Sequence, residues 1–166
     1  MRIRKIVRCL IGLVLLFATA AASAQVEFHR AYRGVRPDSV PASFPNDGVF
    51  QFMSRQPFIE AKDLLSAKTG YADGAAYVEV AITNDAMKKI NELAAANARA
   101  FDRDALDETV GLAFVVDGKP VQVVQGVNGP LAEPTIWWYL GNFSLSRDAA
   151  LSEAEALAEI IRRSAR

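Results

Sequence analysis

The sequence predicts an α+β domain of two layers, a mainly antiparallel sheet with two main helices on one face. Three observations carry this. Residues 77–82 and Val110–Val116 place Val78, Val80 and Ile82, then Leu112, Phe114 and Val116, on one face of a strand. Asp117-Gly118 marks a two-residue hairpin directly after the second strand. Two further segments, from about Asp85 and from Ser152, repeat apolar residues at helical spacing. Connections between neighbours are short, which favours antiparallel pairing, and two helices can cover one face of such a sheet.

The elements follow in order. Residues 1–24 have the three parts of a secretory signal peptide. Arg2, Arg4, Lys5 and Arg8 make a basic start, a short apolar run extends from Cys9 to about Ala18, and Ala22-Ser23-Ala24 offers a small-residue exit. The apolar run is shorter than the ~20 residues that span a bilayer. Cleavage after Ala24 is expected, giving an exported, periplasmic domain with no stable membrane insertion. Cys9 precedes the apolar core, so it is not placed for lipid attachment.

Residues 25–57 read as an irregular N-terminal arm, because Pro37, Pro41, Pro45 and Pro57 fall in it with a turn signal at Asn46-Asp47-Gly48. A short strand near 49–52 is the exception. The domain proper is expected over 58–166. It starts with a helical turn within 60–65, a strand over 66–72, a turn at Asp73-Gly74 and the strand 77–82. Thr83 or Asn84 can cap the first helix by accepting from unpaired amides. Met87, Ile90, Ala94, Asn97 and Phe101 form its stripe. Residues 102–109 read as a charged loop.

After the Asp117-Gly118 hairpin, the return strand 121–125 is expected at an edge, since Pro120 lacks an amide donor. A further strand covers 135–143. Ser152-Glu153-Ala154-Glu155 reads as a capping box that opens the last helix. Leu157, Ala158 and Ile161 form its apolar side, and Arg162, Arg163 and Arg166 suit its C-terminus.

Composition narrows the functional classes. Four of the nineteen basic residues and none of the nineteen acidic ones lie in 1–24, so the remainder carries a net charge near −4. That balance argues against nucleic acid and anionic lipid as partners. The single cysteine also lies in 1–24, leaving no disulfide, thiol nucleophile or thiolate metal site beyond it. His29, the one histidine, reads as a solvated side chain of the arm. Asp102, Asp104, Asp107 and Glu108 lack the glycine of a calcium loop. Asp117 is explained by its turn and Ser152 by its cap. No catalytic residue, metal site or cofactor is expected, and the protein reads as non-enzymatic.

The most informative cluster is Trp137-Trp138-Tyr139. On a strand, Trp138 points one way while Trp137 and Tyr139 point the other. The second face would also receive Tyr77 and Glu79 from one strand, and Ala113 and Val115 from another. The first expectation is that the arm covers this face with Phe50, Phe52 and Phe58. The functional alternative is an exposed aromatic surface for extended polypeptide, or a dimer interface, with Trp137, Tyr139, Tyr77 and Val115 as candidate binding residues.

Three stretches resemble a known family over about 58–163. They are Tyr77-Val78-Glu79-Val80-Ala81-Ile82 with the helix from Asp85, then Leu112-Ala113-Phe114-Val115-Val116-Asp117-Gly118-Lys119-Pro120-Val121. The third is Leu140-Gly141-Asn142-Phe143-Ser144 with the later Leu151-Ser152-Glu153-Ala154-Glu155-Ala156-Leu157-Ala158. Their order is similar to that in the head of the first periplasmic domain of SecD, the protein-export membrane subunit. The resemblance implies the α+β fold and a general class, a stand-alone head without membrane spans, with exported polypeptide or export machinery as partners. It supplies no site residue. A proton-driven motor is not implied, because the spans that would carry protons have no counterpart after Ala24. The alternative on the same scaffold is a soluble periplasmic small-molecule-binding or enzyme-inhibitor protein.

Overall fold

Alternation in the sequence becomes a set of antiparallel strands, joined where a residue can adopt positive φ. In the computed structural model, which describes residues 25–44, 48–103, 105–124, 129–140 and 146–165, two tight turns stand out. Asp73 (φ 52°) and Gly74 (φ 80°) join β4 (Leu64–Ala72) to β5 (Ala75–Ile82), and Asp117 (φ 49°) and Gly118 (φ 73°) join β6 (Val110–Val116) to β7 (Lys119–Val124). Two consecutive positive φ values match the twist of a two-residue hairpin. Residues 1–24, where a signal peptide is expected, lie outside the described residues.

The strands form two sheets rather than one. The three-stranded sheet runs β4-β5-β8, where β8 is Thr135–Tyr139. The five-stranded sheet runs β2-β3-β1-β6-β7, with β1 at Val26–Tyr32, β2 at Ser39–Pro41 and β3 at Phe52–Ser54. The irregular reading of 25–57 is therefore corrected, since that segment supplies three strands. β1 lies inside the sheet and pairs with β6 along its whole length, from Val26↔Val116 to Tyr32↔Val110. By engaging β6 it draws the β6–β7 hairpin away from β5 and β8.

The polar residues of β1 are matched by tertiary partners. His29 is buried, and its Nδ1 donates to the Ser54 carbonyl at 2.8 Å. Its Nε2 stands 3.2 Å from a Glu27 carboxylate oxygen. His29 is thus a structural core residue and not a solvated one. Of the prolines that suggested an irregular arm, Pro37 lies in the loop after β1 and Pro41 ends β2.

The first helix, α1 (Asn84–Asp102), starts where expected, with Thr83 Oγ1 accepting from the Ala86 amide at 3.2 Å. Asn97 belongs to its inward stripe because it is a clamp. Its amide donates to the Val110 carbonyl (2.8 Å) and its oxygen accepts from the Val110 amide (2.9 Å), fixing the start of β6. Phe101 departs from the expected stripe and is 61% exposed.

The second helix, α2 (Arg147–Ser164), begins before the expected Ser152. Ser146 caps it by accepting from the Ala149 amide, so Ser152 is already inside the helix. Ala150, Ala154 and Ala158 are buried at intervals of four along its inner face. Small side chains let the helix backbone approach β4 and β5 closely. Arg162 then holds it there, bonded to Glu155 and Glu159 on its own helix and to the Ala67 carbonyl of β4.

Both helices and the inner faces of both sheets share one core. Val78, Val80, Ile136 and Trp138 meet Phe28, Leu112 and Phe114 there, with Ile90 of α1 and Ile161 of α2. The far face of the five-stranded sheet has its own cluster, in which Phe44 and Phe50 cover Ala31, Ala113, Val115 and Val123. No helix among the described residues is long and apolar enough to cross a membrane.

Candidate functional site

The outer face of the three-stranded sheet is built by strict alternation. Trp138 and Ile136 turn into the core, so Trp137 and Tyr139 must turn outward. Pairing sets their neighbours. Tyr139 lies opposite Tyr77, which lies opposite Gly70, and Trp137 lies opposite Glu79, which lies opposite Lys68. Two rows therefore cross the sheet, Gly70–Tyr77–Tyr139 and Lys68–Glu79–Trp137.

The aromatic members pack on one another. The Tyr77 ring sits 4.9 Å from Trp137 and 5.7 Å from Tyr139, centroid to centroid, both tilted. Gly70 makes room for it, since a Cβ at Gly70 would stand 2.3 Å from the Tyr77 ring. An isolated glycine within a strand signals such a close approach. It is the one sign in the sequence that something packs closely against β4 at this point.

The cluster is open. Trp137 is 49% and Tyr139 44% exposed, and Tyr77 is partly buried between them. The expected cover is not there. Phe50 is buried in the cluster behind the five-stranded sheet, Phe58 packs against the main core under Arg30, and Phe52 lies in β3. Val115 is also not part of this face. It lies in β6, 1% exposed, in the same cluster as Phe50. The reason is the division into two sheets, which places β6 beside β1 and away from β5 and β8.

The strand that carries the cluster is anchored firmly. The Asn91 side chain of α1 brackets Leu131, accepting from its amide at 2.7 Å and donating to its carbonyl at 3.4 Å. The Ile82 amide donates to the Pro134 carbonyl and the Leu140 amide to the Ala76 carbonyl, closing both ends of β8 on β5. This gives a rigid base under exposed rings, suited to contact by stacking and apolar burial. Among the described residues, no three His, Cys, Asp or Glu side chains gather to hold a metal ion.

A concavity of about 350 Å³ lies between β1, β3 and α1, lined by Arg30, Asp38, Phe58, Lys89 and Glu92 among others. Its walls carry both signs of charge. Nearby, burial and the Asp38 carboxylate push the Tyr32 hydroxyl above its usual pKa.

No protein-family model and no curated protein matches the chain. Solved structures do. A crystal structure of SecDF in its super-membrane-facing form is similar with a TM-score of 0.54 and 16% identity, over 85% of this chain and 19% of that one. A second structure comes from work on the structure and function of SecDF as a membrane component that enhances protein export. It gives a TM-score of 0.53 and 15% identity, over 85% of this chain and 63% of that one. The chain thus spans less than two thirds of either structure's length. At this identity the likeness is one of fold. The fold is SecD-like, in agreement with the resemblance carried by the strand, hairpin and helix motifs.

Proposed function

We propose that this chain is an exported, non-enzymatic interaction domain that holds extended polypeptide on the Tyr77–Trp137–Tyr139 face and assists protein export. The observation that carries the reading is the exposure of Trp137 and Tyr139 as one packed cluster on a rigid sheet. Aromatic rings bury large areas at small entropic cost, so such a face accepts many sequences. The SecD-like fold supports the connection with export, by analogy of fold. The signal-peptide pattern in 1–24 supports a periplasmic location, with cleavage after Ala24.

The test is binding of an unfolded, labelled polypeptide to the purified protein. Trp137→Ala and Tyr139→Ala are each expected to weaken binding about tenfold while leaving the melting temperature close to wild type. Equal binding by both variants, with equal melting, would remove the proposal. Mass analysis of the recovered polypeptide addresses catalysis, because an interaction domain returns it intact. The mixed-charge cleft near Arg30 and Lys89 favours a second reading, a small-molecule-binding protein. Under that reading the aromatic variants bind polypeptide like wild type, and Lys89→Ala alters a small-ligand thermal-shift profile.

A further inference from the structure

The four edge strands of the two sheets are not treated alike. β2 is three residues long and ends in Pro41. β7 carries Lys119 and Pro120, and its register with β6 is irregular there. On β4, Arg162 donates to the Ala67 carbonyl at 3.2 Å, Lys68 is exposed, and the register shifts between Leu64 and Ser66. Charges, prolines and bulges are the devices that keep a sheet edge from pairing with another chain. β8, Thr-Ile-Trp-Trp-Tyr, has none of them. Among the described residues, no strand pairs with its outer side.

The hydrogen-bond phase shows what that edge offers. In an antiparallel pair, residues alternate between those that bond across the pair and those that face away. The bonds Ile82 to Pro134 and Leu140 to Ala76 assign 134, 136, 138 and 140 to β5. Trp137 and Tyr139 therefore direct their backbone N–H and C=O outward. The amide of Thr135 is already engaged with the Glu133 carbonyl at 2.7 Å. The residues whose side chains form the aromatic face are the same ones whose backbones form the open edge.

Charge adds a preference. In the row Lys68–Glu79–Trp137, the Glu79 side chain makes no ion pair within 4 Å and no hydrogen bond among the described residues, although Lys68 stands opposite it. A fourth strand would set its own residue next to Trp137 in that row. A lysine or arginine there can stack on the indole and extend its charge toward Glu79.

We propose that β8 binds its partner by strand addition. An extended polypeptide segment becomes the fourth strand of the three-stranded sheet, with a basic side chain over Trp137. This rests on the polypeptide-binding reading above and specifies its mode. Main-chain hydrogen bonds supply sequence-tolerant affinity, while the aromatic rows select side chains of one face.

The experiment uses the purified protein and a labelled nine-residue peptide of alternating valine and threonine with a central lysine. Two N-methylated versions are compared, each blocking one alternate set of amides while keeping every side chain. Strand addition predicts asymmetry. One set weakens binding about tenfold or more, through loss of two or three main-chain bonds, and the other set changes it by less than about twofold. Replacing the central lysine by norleucine is expected to weaken binding about threefold in wild type and by less in Glu79→Gln, where only the contact with the indole is lost. Equal effects of the two methylation patterns would overturn strand addition. In that case, continued sensitivity to Trp137→Ala leaves the polypeptide-binding reading standing. Absence of binding by both the peptide and unfolded polypeptide removes both. A dimer seen by sedimentation that the peptide does not dissociate would also overturn the inference, since a second copy would then hold the edge.

Discussion

Trp137 and Trp138 are neighbours in sequence with opposite environments. Trp138 is 1% exposed, with its ring 4.2 Å from Phe114 across the core. Trp137 is 49% exposed and rests on Tyr77. One residue of strand register separates a residue that holds the two sheets together from one free to meet another molecule. Large area is not itself a sign of core position; what an aromatic ring does depends on which face of the sheet it joins.

Mutations can break this contrast, and the largest effect should come from the inner ring. Trp138→Ala empties the contact between the sheets and is expected to cost about 3–5 kcal/mol in urea unfolding. Trp138→Phe should cost less than half of that, partly because the indole N–H is buried with no hydrogen-bond partner among the described residues. A Phe variant as unstable as the Ala variant would contradict that assignment.

Gly70→Ala comes next. Its methyl group must displace the Tyr77 ring, so about 1–2 kcal/mol of stability should be lost, along with part of the polypeptide affinity. Unchanged values for both would mean that the ring shifts aside without consequence. Trp137→Ala removes only partial packing on Tyr77, and its expected cost is about 1 kcal/mol or less.

The smallest effect concerns acid. Glu155 is held below the ordinary carboxylate range, first by the hydrogen bond from Arg162 and then by that from Thr69. A lowered folded-state pKa stabilises above the unfolded value of 4.5, and the contribution is lost as pH falls through the lower folded value. Wild type should therefore lose slightly more stability than Glu155→Gln between neutral pH and about pH 3. The difference should shrink in high salt, because the pair is exposed. Equal slopes in thermal melts across that range would show that Arg162 holds α2 without help from Glu155.

What could be read from the sequence is mostly local. Both Asp-Gly turns and the Thr83 cap depend on a few adjacent residues, and β5 and β6 on their own alternation. β1 was hidden because Arg30 breaks the short alternation of Val26 to His29, and the burial of His29 requires Ser54, a partner brought by β3. The early start of α2 was hidden because Arg147-Asp148-Ala149-Ala150 has no large apolar residue, although Ala150 packs inside. For the candidate site, alternation alone put Trp137 and Tyr139 on one face, and the expectation that Tyr77 joins them needed the β5–β8 pairing as well. Val115 was misplaced because alternation gives a residue's face but not its sheet. The same limit applied to Phe50, which covers the other sheet.

The central claim is that Trp137 meets polypeptide. The chain has two tryptophans, so Trp138→Phe leaves Trp137 as its single indole reporter. Fluorescence of that variant should be red-shifted when free, as befits a half-exposed indole, and should move to the blue as unfolded polypeptide is added. Binding detected by a separate label with no change in the Trp137 emission would contradict the account.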